Sequence, residues 1–132
     1  MDADLTVATD VRVVGFTPHM HFRGKSFEYR AVLPDGTREV LLRVPKYDFN
    51  WQLTYDLAEE RVFAKGTKFE ATAVFDNSPG NRFNPDPKAS VRFGDQTWDE
   101  MMVGFLGVAL KPDQDLAKLI RLSPPKSSTG GQ

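Results

Sequence analysis

Phe27-Glu28-Tyr29-Arg30-Ala31-Val32-Leu33-Pro34-Asp35-Gly36-Thr37-Arg38-Glu39-Val40-Leu41-Leu42-Arg43-Val44 is the stretch that decides the fold class. Residues 27–33 and 37–44 are runs of strand length, and in the first of them apolar and charged side chains alternate. Between them stands Pro-Asp-Gly, a strong turn signal, so the segment reads as a β-hairpin. Pro45 ends the second run because it has no N–H to give to a ladder.

Outward from the hairpin the period stays near two rather than 3.6. On the amino-terminal side, Val11, Val13 and Gly15 alternate with Arg12, Val14 and Phe16, and His19 and His21 follow Pro18. Residues 1–10 are expected to be an extension or a first edge strand. On the carboxy-terminal side a strand is expected near Trp51 to Leu57. Gly66 opens another at 67–75, Thr-Lys-Phe-Glu-Ala-Thr-Ala-Val-Phe. Residues 76–88 hold five asparagines or aspartates before Pro87 and read as one long loop, a feature that often borders a functional site. A short strand at Val91-Arg92-Phe93 and a longer one over 100–110 complete the β content. Only 113–121, with Leu116, Leu119 and Ile120, suggest a helical turn or two. About eight short strands with regular turns predict an all-β antiparallel sandwich or jelly roll. The expected organisation is a jelly-roll domain over 11–112, then a short helical turn and flexible tail over 113–132.

The bulk properties exclude several classes. At 132 residues the chain is one domain of ordinary globular make-up, 40% apolar and 27% charged. With 17 basic and 18 acidic side chains, the balance gives no pull toward nucleic acid or anionic lipid. The apolar run from Met101 to Leu110 is too short for a membrane span. Absence of cysteine excludes disulfides, thiolate metal sites and a cysteine nucleophile, and leaves the redox compartment undecided. Asp2, Asp4, Asp10 and Arg12 break up any amino-terminal signal peptide. The tail, Ser-Pro-Pro-Lys-Ser-Ser-Thr-Gly-Gly-Gln over 123–132, reads as a linker, so the chain is expected to be a piece of a longer protein.

Both histidines of the chain fall in Pro18-His19-Met20-His21-Phe22. On a strand, side chains at i and i+2 share a face with Cα atoms about 6.5–7 Å apart. Two imidazoles at that spacing can converge on one metal. A third ligand must come from elsewhere, and methionine is the remaining soft donor, at Met20, Met101 or Met102. Met20 points to the opposite face from the histidines and is expected in the core. Met101 and Met102 point to opposite faces of their strand. Two imidazoles and a thioether favour copper over zinc or magnesium. The pattern alone leaves copper, zinc and an incidental surface pair all open. Asp76 and Asn77, beside the long loop, are candidates either for partners behind the ligands or for turn caps. Trp51, Tyr47, Phe49 and Trp98 are expected to pack in the core rather than stack on a base or sugar.

Two segments together resemble the ligand motifs of a known family. His19-Met20-His21-Phe22-Arg23-Gly24-Lys25 has a His-x-His followed closely by Gly-Lys, and Asp99-Glu100-Met101 has an acidic pair followed by methionine. This is similar to the carboxy-terminal catalytic domain of the copper type II, ascorbate-dependent monooxygenases. That family includes peptidylglycine α-hydroxylating monooxygenase and dopamine β-monooxygenase. The likeness runs from about Val11 to Leu110. It implies a jelly roll in which His19, His21 and Met101 bind one type 2 copper ion, cycling between Cu(I) and Cu(II), and it selects Met101 over Met102. It further implies O₂ and an organic substrate as reactants, and a periplasmic or extracellular setting.

The departures from the family limit the substrate. The peptide-processing member binds its substrate carboxylate with an arginine, an asparagine and a tyrosine; the matching positions here are Thr17, Val103 and Phe105. A glycine-extended peptide is therefore not the expected substrate. The family's amino-terminal domain, whose histidines hold the electron-transfer copper, has no counterpart in this chain. Electrons are then expected from a haem or second copper on another domain or protein. Three functions follow: the oxygen-activating domain of a monooxygenase, a non-catalytic copper-binding or electron-relay module, and a structural sandwich whose histidines are incidental.

Overall fold

A computed structural model of the protein describes residues 1–122. Eight strands form β1 (Asp2–Val7), β2 (Val11–Met20), β3 (Gly24–Val32), β4 (Arg38–Val44), β5 (Tyr55–Phe63), β6 (Lys68–Phe75), β7 (Met102–Ala109) and β8 (Ile120–Leu122). The one helix among the described residues, α1 (Leu116–Leu119), is a single turn capped by the Asp115 side chain. No described helix is long and apolar enough to cross a membrane.

The strands form two antiparallel sheets, ordered β4-β3-β6-β1-β8 and β5-β2-β7. The hairpin quoted above is β3 and β4. Its turn is closed by the Leu33 carbonyl, which accepts from Gly36 N–H, and by the Asp35 carboxylate, which accepts from Thr37 N–H at 2.8 Å. Gly36 holds a φ of +86°, a conformation that disfavours any side chain.

The sheets pack face to face through aromatic rings contributed from both. Phe16 of β2 lies 4.9 Å from Tyr29 of β3, and Phe63 of β5 lies 5.0 Å from Phe69 of β6, measured between centroids. Each such ring, fully buried, contributes about 1.5–3 kcal/mol relative to leaving it in water. Val7, Val13, Met20, Ala31, Ala73 and Met102 fill the space between them.

A β-bulge in β2 decides which way the histidines point. Val11 and Val13 face the core, so strict alternation would send residues 15, 17, 19 and 21 inward as well. The pairing of β2 with both neighbours shifts between Val13 and Gly15, leaving Val14 as an extra residue. Beyond it Phe16, Pro18 and Met20 are the buried set. Thr17, His19 and His21 are thereby turned onto the outer face of the smaller sheet.

Several expectations change. The strand expected near 51–57 starts only at Tyr55 and continues to Phe63, because Asp48 and Gln52 hold residues 48–52 in turns. Residues 91–93 form no strand; Phe93 makes a single bridge to Glu100. Residues 2–7 are neither extension nor edge: β1 lies between β6 and β8. Within 113–121 the expected helical turn is present as α1, but β8, unforeseen, closes the larger sheet. The expected tail over 123–132 lies outside the described residues.

Candidate metal centre

His19 lies in the last turn of the β2 pleat and His21 one residue beyond the strand. Their rings stand edge to face with centroids 5.3 Å apart. Met20 between them is fully buried, as expected from alternation. Its backbone is clamped by one hydroxyl: Met20 N–H donates to Tyr47 Oη at 2.9 Å, and Tyr47 O–H donates to the Met20 carbonyl at 2.8 Å. On this flank β5 has already ended, its last pair being Tyr55 with Phe16. The Tyr47 hydroxyl thus stands in for a missing strand neighbour, and Pro18, lacking an N–H, leaves no donor orphaned there. Burial pushes the Tyr47 phenol above its ordinary range, with the Met20 contact opposing that shift.

Each imidazole is held through Nδ1. His19 Nδ1 lies 2.7 Å from Gln52 Oε1, and the Gln52 amide is itself oriented by Nε2 donating to the Phe49 carbonyl at 2.9 Å. His21 Nδ1 lies 3.2 Å from the Asp99 carbonyl oxygen. Both partners are acceptors, so in the neutral rings Nδ1 carries the proton and Nε2 keeps its lone pair. A metal-binding histidine is commonly oriented in this way, by donating its other N–H to a fixed oxygen. Phe49 flanks His21 with ring centroids 6.3 Å apart, and Phe22 packs on Phe49 at 4.6 Å. His21 is only 5% exposed, whereas His19 remains half-buried.

Met101 lies one residue before β7. Met20 pairs with Met102, and His19 with Val103. Met102 faces the core with Met20, and extending the register by one residue sets Met101 across from His21. Pleating gives Val103 and Phe105 the outer face that carries His19. Among the described residues no three His, Cys, Asp or Glu side chains gather where they could hold a metal ion. A metal on the two imidazoles would therefore draw a further donor from methionine or solvent. Two nitrogens and one thioether suit copper, above all Cu(I).

The surrounding loops complete the picture. The Asp99 side chain turns back over Gly94, where the missing Cβ leaves room for its carboxylate. Asp76 caps its own turn, accepting from Ser78 N–H at 2.9 Å, and the Ser78 hydroxyl together with that N–H holds its carboxyl below the usual range. Asn77 instead donates to Glu100 Oε1 at 3.0 Å, tying the long loop to the residue before Met101. Tyr47 and Phe49 pack inward as expected. Trp51 and Trp98 do not: on turns outside any strand, they are 72% and 58% exposed. Thr17 pairs with Phe105, and the Thr17 hydroxyl meets that of Thr54 at 2.8 Å.

Sequence reasoning missed Gln52, Tyr47 and the Asp99 carbonyl. A polar residue next to Trp51 carries no distinguishing mark, and a backbone oxygen leaves none at all. No family model, curated protein or solved structure matches the chain.

Proposed function

We propose that His19, His21 and Met101 hold one copper ion, and that the domain uses it with O₂ to oxidise an organic substrate. The observation that carries this reading is the pair of imidazoles, 5.3 Å apart and each held through Nδ1 so that Nε2 is left to bind a metal. The resemblance to the catalytic domain of the copper type II monooxygenases, drawn from the same residues, supports the metal and the reaction class. Copper bound there would supply one-electron redox chemistry and a position for O₂.

The protein's own residues do the rest. Gln52 and the Asp99 carbonyl keep the rings in the ligating tautomer, and Tyr47 fixes the spacing between them. Thr17, Val103 and Phe105 line the neighbouring outer-face positions and carry no charge, so the part of the substrate beside the metal is neutral and apolar. Electrons come from a haem or second copper on another domain or protein. The setting is periplasmic or extracellular, as in the family it resembles.

The test is to load the protein with copper, supply ascorbate and O₂, and follow oxygen consumption and peroxide. The expected result is one type 2 copper per chain by EPR and oxygen use that is lost when His19 and His21 are both changed to Ala. A copper site that forms but is inert to O₂ when reduced would favour the second reading, a copper-binding or electron-relay module. That reading is favoured by Trp51 and Trp98, exposed on the two loops that hold the histidines and available to a redox partner.

A further inference from the structure

We infer that Arg23 is a positioning residue for the metal face: its buried guanidinium pins the loop whose Asp99 carbonyl orients His21. Arg23 is 2% exposed, among the largest fully buried side chains of the protein. Its partners are neutral oxygens. Nε donates to Asn84 Oδ1 at 2.9 Å, one terminal nitrogen donates to the Asp86 carbonyl at 3.3 Å, and the other donates to the Trp98 carbonyl. Taking a guanidinium out of water costs several kcal/mol, which carbonyl partners must offset. A flat fork of five N–H donors can reach three acceptors on two segments at once; an ammonium cannot.

The geometry gives the three contacts a common consequence. Residues 21, 22 and 23 grip three consecutive carbonyls of the facing loop: Phe22 N–H donates to Thr97 O at 3.4 Å, Arg23 to Trp98 O, and His21 Nδ1 to Asp99 O at 3.2 Å. The Arg23 carbonyl also accepts from Asp76 N–H at 2.8 Å, at the root of the long loop. Arg23 therefore ties segments 84–86 and 97–99 together beneath His21, two residues ahead of Met101. His19 is oriented by a different loop, through Gln52. Loss of Arg23 should then release His21 and spare His19, a selectivity that general destabilisation would not produce.

This inference extends the copper reading, but its primary test needs no metal. The imidazole ¹⁵N signals of the metal-free full chain report each histidine's tautomer. In the wild type both rings should show Nδ1–H. In Arg23→Met, His21 should become a mixture of tautomers while His19 is unchanged. Arg23→Lys, which cannot reach all three acceptors, should shift His21 in the same direction. Wild-type His21 signals in either folded variant would overturn the proposal, as would equal changes at His19 and His21. In a parallel Cu(I) competition titration, Arg23→Met should raise the dissociation constant about tenfold or more. If the wild type binds no copper while His21 still responds to Arg23, the positioning role stands and the copper reading falls.

Discussion

The outer faces of the two sheets occupy equivalent positions in the sandwich, and they differ most at the end of the smaller sheet where β2 runs out. On the larger sheet, residues facing water include Glu28, Arg30, Arg38, Arg43, Lys68 and Glu70. They pair within and across strands: Arg43 with Glu28, Arg30 with Glu28, Arg38 with Glu70 at 2.6 Å and Lys68 with Glu70 at 2.8 Å. On the smaller sheet Arg12 pairs with Glu60 at 3.1 Å at one end, whereas the other end carries Thr17, His19, Val103 and Phe105, with His21 (5% exposed) and Met101 just beyond the strands. Paired charges are the ordinary covering for a solvent-facing pleat, contributing little each and discouraging association. The end of the smaller sheet beyond Arg12–Glu60 does without such pairs, fixes two imidazoles by one nitrogen apiece and leaves Phe105 55% exposed. That end is where the proposed metal site lies.

The largest effects should come from that side. Changing His19 and His21 together to Ala should weaken copper binding by at least about 100-fold, beyond what loss of supporting groups alone causes. Changing Glu28 and Glu70 together to Ala should leave it untouched. Calorimetric titration of both double variants checks the contrast, and equal losses would erase the distinction between the faces. Met101→Ile should weaken Cu(I) much more than Cu(II), since the thioether favours the softer ion. Equal weakening would remove Met101 from the ligand set.

Tyr47→Phe probes the join between core and metal face. It removes both hydrogen bonds at Met20 and leaves a buried N–H and C=O unpaired, so denaturant unfolding should show a loss of about 1–3 kcal/mol. Alkaline titration should expose the same residue. Burial raises the phenols of Tyr29 and Tyr47 in the folded protein, so unfolded tyrosine ionises first, near pH 10. Their contribution is fully present below about pH 10 and declines as pH rises above it. Tyr47→Phe should shrink that alkaline loss.

The smallest effects belong to the charged face. The Arg43 guanidinium holds the Glu28 carboxyl below its ordinary 4.5, and the Lys68 ammonium does the same for Glu70. That stability is present above pH 4.5 and is lost as pH falls through the lowered folded values. Glu28→Gln or Glu70→Gln should each cost less than about 1 kcal/mol at neutral pH, measured by thermal unfolding.

Legibility in the sequence divided along similar lines. The hairpin 27–44, β6 and the long loop follow from local alternation and turn residues, and the structure has them. The bulge at Val14 does not, since nothing in Val13-Val14-Gly15 says that alternation will reset there. Yet that reset puts His19 and His21 outside rather than inside. β8 is three residues long and pairs with β1, over a hundred positions earlier, so local pattern could not reveal it. The His-x-His pair and Met101 were readable as a candidate set. The groups that orient them lie 33 and 78 residues from their histidines, one on a turn and one a main-chain oxygen. Tertiary folding alone brings those together.

X-ray absorption on the Cu(I)-loaded protein tests the central claim most directly. The account predicts copper coordinated by two imidazole nitrogens and one sulfur, with the sulfur lost in Met101→Ile. Copper that shows no sulfur neighbour, or that keeps its imidazole signature after both histidines are changed to Ala, would contradict it.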